Sequence, residues 1–129
     1  MSALSAKKIL VVDDEASTLE MARISFELMS GWKVLLAASA TDGLAIARNN
    51  QPDAILVELK MRHDDGPAIL RKLLAEEATR DIPVILLTER FAPGERRNFD
   101  ESGVAGLIWK PFHAMDLPRQ VAMLLGWRP

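Results

Sequence analysis

Ile9-Leu10-Val11-Val12-Asp13-Asp14-Glu15 sets four aliphatic residues directly against three acids. A strand with one wet face alternates apolar and polar side chains; this run does not, so it reads as a strand covered on both sides. Working outward, similar short runs rich in Val, Ile and Leu recur at Lys33–Ala37, Ala54–Glu58, Pro83–Leu87 and Gly106–Trp109, with the first strand spanning Lys8–Val12. The segments between them carry helical spacing. Leu19, Ala22, Phe26 and Met29 form one predicted buried stripe, Ile69 with Leu73 and Leu70 with Leu74 a second, and Leu117, Val121, Leu124 and Leu125 a third.

The punctuation agrees with this alternation. Gly31 can end the first helix, Ala40 or Thr41 opens the second, and Gln51-Pro52-Asp53 stops it. Asp116 is placed to cap a last helix whose first turn holds Pro118, where a missing N–H costs nothing. Pro93–Ser102, with Phe99 its only large apolar residue, reads either as a short fourth helix or as a loop that orders against a partner. Five strands alternating with five helices predict a doubly wound α/β domain: an open five-stranded parallel sheet with helices on both faces. One domain is expected over residues 7–125, with tails at 1–6 and 126–129.

The bulk chemistry narrows the classes. A formal net charge of -2 lacks the basic surplus of a general nucleic-acid binder, so no direct nucleic-acid contact is expected. With no cysteine, disulfides, thiolate metal sites and cysteine nucleophiles are excluded. No apolar run approaches the roughly 20 residues of a membrane span, and the first eight residues do not resemble a secretory signal. A soluble, cytoplasmic protein is the expectation.

In a parallel sheet the functional crevice lies at the carboxyl ends of the strands. Strand one ends on Asp13 and Asp14, strand three on Glu58, strand four on Thr88, and strand five on Lys110 followed by Pro111. Taken singly, each has an ordinary reading: acids suit helix starts, and a lone Thr or Lys at a strand end is solvated. Four such coincidences at four tips are harder to set aside. Three converging carboxylates need a cation to stay ionised, and hard oxygen ligands suit Mg²⁺. Lys110 and Thr88 add a fixed positive charge and a hydroxyl donor, a set able to hold a phosphoryl group in transfer.

These motifs together resemble the receiver domain of two-component response regulators, over nearly the whole chain. Ile9–Glu15 is similar to the family's first strand and acidic pair, and Pro52–Met61 to its third strand and acceptor motif. Gly66 stands eight residues after Glu58, where the family usually has glycine; Val84–Thr88 and Trp109-Lys110-Pro111-Phe112 match its fourth strand and its lysine–proline motif. The resemblance implies a flavodoxin-like fold and a cis Lys110–Pro111 bond. It also implies Mg²⁺ held by Asp13, Asp14 and Glu58, with the Lys60 carbonyl as a further ligand. The implied partner is a protein: a histidine kinase, a phosphotransfer protein or an output domain. The surface used would be the one built by the fourth helix region, the fifth strand and the last helix.

Several positions depart from that pattern. Glu58 stands where the resemblance implies the phosphate-accepting aspartate, and its carboxylate reaches one methylene, roughly 1.5 Å, further out. A misplacement of about 1 Å can cost on the order of 100-fold in a positioned reaction, so ordinary phosphorylation is expected to be slow or lost. Glu58 could instead mimic the phosphorylated state, imperfectly with one charge and two oxygens, or it could pair with Lys110 and lock an inert module. Leu107 replaces the aromatic that swings with the threonine, so coupling to Thr88 should be lost. Arg62 takes a usual proline position, Glu89 follows Thr88 where a small residue is preferred, and Lys60 or Arg90 could neutralise the acidic cluster without metal.

Other residues carry blander readings. His63 and His113 are single histidines near loops, the methionines are core filler, and Trp32 and Trp127 are packing residues. Trp109 should project from the side of its strand opposite Lys110, and exposed there it would mark a protein contact.

The leading expectation is a non-enzymatic signalling module, monomeric or weakly dimeric, acting through a partner without phosphorylation. The alternatives are a slowly phosphorylated Mg²⁺-dependent receiver, with Glu58 or Asp13 as acceptor, and a Mg²⁺-dependent phosphohydrolase. The hydrolase would want an Asp-x-Asp arrangement, where this chain has adjacent Asp13-Asp14. A flavin module lacks its phosphate loop after strand one.

Overall fold

The computed structural model describes residues 7–89 and 103–127. Five parallel strands, β1 (Lys8–Val12), β2 (Lys33–Ala37), β3 (Ala54–Glu58), β4 (Val84–Thr88) and β5 (Gly106–Trp109), lie in the order β2-β1-β3-β4-β5. Four helices are described: α1 (Ala16–Met29), α2 (Ala40–Asn50), α3 (Gly66–Ala75) and α4 (Leu117–Leu125). The doubly wound flavodoxin-like fold is thus as expected. The expected fourth helix at Pro93–Ser102, and Arg90, lie outside the described residues.

Strand alternation builds two cores from one sheet. Leu10, Val12, Ile55, Val57 and Leu86 pack with Leu44, Ile69 and Leu73 of α2 and α3. Ile9, Val11, Leu56, Ile85 and Leu87 face the other way, onto Leu19 and Phe26 of α1 and Leu117 and Val121 of α4. The central strands β3 and β4 are buried throughout, which is why their sequences show no polar alternation. The edge strands β2 and β5 are only partly covered.

Local departures from the sequence reading have plain causes. β4 begins at Val84 rather than Pro83, because proline has no N–H to give the ladder; its carbonyl still accepts from the Ile55 N–H at 3.0 Å. Asp116 does not cap α4 with its side chain. The chain enters that helix through a 3₁₀ turn, Ala114–Asp116, so Asp116 already has helical dihedrals instead of the extended ones a cap uses. The buried stripe of α1 runs through Thr18, Leu19, Ala22, Ser25 and Phe26, while Met29 is exposed. Ser25 is buried because its hydroxyl donates to the Ala114 carbonyl, tying α1 to the turn before α4. Leu74 is half-buried, and Leu124 is exposed on the outside of α4, where it leans over Gly106.

At the amino-terminal end of the sheet, Trp32 stacks on Phe26 with centroids 5.8 Å apart and meets Trp127 edge-on at 5.5 Å. Lys7 lies over the Trp127 ring at 4.6 Å. These two tryptophans close the bottom of the α1/α4 layer, as their packing assignment expected. The opposite end carries the charges.

Candidate functional site

Parallel register delivers the tips to one edge. Val12 sits beside Val57, Glu58 beside Leu87, and Thr88 beside Trp109. The residues that end or follow these strands therefore emerge together at the crevice between β1 and β3, where the strand order reverses. The Lys110 N–H donates to the Thr88 carbonyl at 2.8 Å, continuing the ladder one residue past β5, and the Lys110–Pro111 bond is cis, as expected.

Lys110 is the hub. Its Nζ lies 2.8 Å from Asp13 Oδ2, 3.1 Å from Glu58 Oε1 and 3.7 Å from Glu15 Oε1. Asp13 is 1% exposed and Glu58 5% exposed, so two carboxylates are taken out of water against one ammonium. The second Asp13 oxygen accepts from the Glu15 N–H at 3.0 Å, and Glu15 in turn accepts from the Thr18 hydroxyl at 2.8 Å. Glu58 Oε2 is buried, and among the described residues no donor meets it in good hydrogen-bond geometry; the Lys60 backbone N–H gives the carboxylate a weak stabilisation.

The electrostatics follow from that asymmetry. Burial pushes the Glu58 carboxyl pKa up, and the opposing charge and hydrogen bond of Lys110 do not fully offset it; Asp13 adds a smaller upward push. Burial by itself would lower the Lys110 pKa. The hydrogen bond and charge of Asp13, with those of Glu58, outweigh it and hold the ammonium above its usual value.

The loop after β3 is held by carboxylates, one from the β1–α1 loop and two of its own. Asp14 Oδ2 accepts the His63 N–H at 2.7 Å, Asp64 accepts the Ala40 N–H that opens α2, and Asp65 caps α3 by accepting the Ala68 N–H at 3.0 Å. Gly66 is required by contact: a Cβ there would lie 2.6 Å from the Glu58 carbonyl oxygen. The Glu58 backbone is thus gripped by α3 as well as by the sheet.

Asp13, Asp14 and Glu58 line one cleft at this edge. Asp13 and Glu58 converge, but on Lys110, while Asp14 is turned to loop backbone. Among the described residues no group of three or more acidic or histidine side chains is disposed to hold a metal ion. Magnesium takes near-octahedral oxygen ligands at short range, and here one oxygen each of Asp13 and Glu58 already serves an ammonium. Glu58 Oε2, buried and without a described donor in good geometry, remains the site's uncommitted carboxylate oxygen beside the acidic pair.

Thr88 ends β4 fully buried, and Leu107 is half-buried against the α2/α3 layer, a packing contact in place of a polar one. A cleft of about 290 Å³ opens over the site, lined by Asp13, Asp14, Glu58 and Glu89 and also by Lys60, Arg62 and His63. Glu15 and the His63 N–H were not assigned site roles from the sequence. Glu15 could have been found from its place directly after the acidic pair; the His63 N–H left no sequence signal. A larger depression of about 470 Å³ adjoins between α1 and Pro111-Phe112.

The profile of the response regulator receiver domain matches residues 9–122. This chain belongs to the response-regulator receiver family. It is 33% identical over 119 residues to the phosphate regulon transcriptional regulatory protein PhoB of Pseudomonas aeruginosa, covering 92% of this chain and 52% of PhoB. It is 31% identical over 118 residues to RpaA of Synechocystis sp., a DNA-binding dual master transcriptional regulator, covering 92% and 48%. The receiver thus spans about half the length of these bacterial relatives. Among solved structures, the chemotaxis response regulator CheY4 of Vibrio cholerae superposes with a TM-score of 0.83 at 22% identity, over 93% of this chain and 99% of CheY4. The receiver domain of the sensor histidine kinase PA1611 of Pseudomonas aeruginosa superposes with a TM-score of 0.81 at 27% identity, over 95% and 99%; that protein coordinates a magnesium ion in its active-site cleft. No described helix of this receiver is long and apolar enough to cross a membrane.

Proposed function

We propose that this receiver is a non-enzymatic, cytoplasmic two-component signalling module that works without phosphorylation, Glu58 standing at the phosphoacceptor position. The observation that carries the reading is the clamp of Lys110 between Asp13 and Glu58, at 2.8 and 3.1 Å, in a nearly water-free site. A cation spent on Glu58 is not available to steady an incoming phosphoryl group. Of the two roles open to Glu58, the clamp favours the locked module over the phosphate mimic. Magnesium binding is weak or absent in this reading, and a phosphohydrolase role loses its metal-dependent basis.

Signalling then passes through protein contacts of the β5/α4 face. Trp109, 44% exposed, Met123 and Leu124 stand there around a hollow of about 340 Å³. Large exposed apolar side chains grouped in this way are typical of contact surfaces. The partner is a histidine kinase, a phosphotransfer protein or an output domain, met by a monomer or weak dimer of this chain.

Intact-mass measurement after incubation with acetyl phosphate and Mg²⁺, with Glu58→Asp as comparison, tests the reading. A phosphoryl mass on the aspartate variant alone is the expected result. A phosphoryl mass on the wild type sinks it and makes this a working receiver with an unusual acceptor.

A further inference from the structure

β2 is an edge of the sheet: it pairs with β1 on one side and, among the described residues, with no strand on the other. The Lys33 N–H donates to the Lys7 carbonyl at 2.9 Å, and the Ala37 carbonyl accepts from the Asp13 N–H at 3.0 Å. Backbone groups alternate sides along a strand, so Lys33, Leu35 and Ala37 point inward to β1 while Val34 and Leu36 point outward. Each of the outward pair offers one N–H and one C=O to the open edge. Such edges are commonly blunted by proline, a bulge or several charges. β2 has no proline, pairs residue for residue with β1 from Lys33 to Ala37, and carries Lys33 as its one charge. Its middle is aliphatic on both faces: Leu35 is half-buried on the α2/α3 side, Val34 and Leu36 on the α1/α4 side.

We propose that β2 is a self-association edge, and that its occupant is β2 of a second copy, run antiparallel about a two-fold axis beside Leu35. In that register Val34 meets Leu36 of the second copy, Leu35 meets Leu35, and Lys33 meets Ala37. All the outward N–H and C=O groups of Val34 and Leu36 are then paired, and every central cross-strand contact is aliphatic. The two Lys33 side chains stand about 13 Å apart along the strands, further than the Debye length at physiological salt. Because the paired strands run in opposite directions, the two carboxyl edges face away from each other and the two β5/α4 faces lie at the far ends of the joined sheet. Association thus leaves both signalling faces free and makes the module bivalent. This inference goes beyond the proposed function and does not rest on Glu58.

Amide hydrogen exchange by nuclear magnetic resonance tests it, with the wild type at about 20 μM and about 1 mM, since a weak dimer forms by mass action. The Val34 and Leu36 N–H groups are expected to exchange roughly threefold or more slowly at the higher concentration. Light scattering there should show a dimer and nothing larger, because a two-fold pairing of β2 with β2 closes on itself. Val34→Pro removes an outward donor without touching the ladder to β1, and is expected to stay a single chain. Exchange at both groups that ignores concentration overturns the proposal, and so does a dimer whose slowed groups lie elsewhere, on β5 or α4. A folded Val34→Pro that still dimerises overturns it as well. If Val34→Pro does not fold, the wild-type exchange decides. None of these readings involves phosphoryl transfer, so a phosphoryl mass on the wild type would sink the proposed function and leave this edge untouched.

Discussion

Two ion-pair networks in this receiver use the same kinds of side chain in opposite surroundings. On α1, Arg23 bridges Glu20 and Glu27 across successive turns, with all three side chains at least 41% exposed. At the sheet's carboxyl edge, Lys110 bridges Asp13 and Glu58 with almost no access to water. The exposed pairs form in a medium that already solvates each partner well, so they add little and salt screens them. The buried set has surrendered its hydration, so each member depends on the others, and removing one strands the rest. Equal geometry therefore does not mean equal consequence: the first network decorates a helix, and the second fixes how the site is wired.

Breaking the buried network should give the largest effect. Lys110→Met leaves two carboxylates facing each other out of water, and chemical denaturation should show a loss of about 3–5 kcal/mol. A loss near zero would mean that the site opens to water and the comparison with α1 fails.

A subtler change sharpens the same point. The Glu58 pKa is raised in the folded protein, so the native state holds that proton more firmly than the unfolded chain does. Stability from this group is full below the ordinary glutamate range and declines as pH rises through the raised folded value. Glu58→Gln cannot titrate, so its stability relative to the wild type should climb with pH across that window. Parallel curves in a pH series of denaturation midpoints would refute the assigned burial cost.

Arg23→Ala should give the smallest effect. No resolvable change in unfolding midpoint is expected, and any change seen at low salt should vanish at high salt. A clear loss persisting at high salt would show that the α1 network is not the solvated ornament described above.

Most of the fold was legible because buried parallel strands leave uninterrupted apolar runs, and their tips announce themselves by an abrupt change to charge. β1, β2, β3 and β5 have the bounds read from the sequence, while β4 is shifted by one residue at each end, starting at Val84 for want of a proline N–H and running on through Thr88. Periodicity located the helices but not the width of their buried stripes, so Met29 and Leu124 were placed inside and stand outside. The site was legible as a gathering of residues and not as a wiring diagram. Sequence position brings Asp13, Asp14, Glu58 and Lys110 to one edge. Which carboxylate meets the ammonium and which meets a backbone N–H depends on loop geometry, here the His63 N–H that claims Asp14.

The three tryptophans have an optical consequence. The chain contains no tyrosine, so its ultraviolet emission comes almost wholly from three indoles. Trp32 and Trp127 are joined edge to face at the amino-terminal end of the sheet, remote from the carboxylates, while Trp109 stands exposed one residue before Lys110. The exposed indole of Trp109 should emit at longer wavelength than the packed pair, so the two ends of the sheet differ in the light they contribute. The protein thus places one indole in water near its charged edge and two in packed surroundings at the other, with no dye attached.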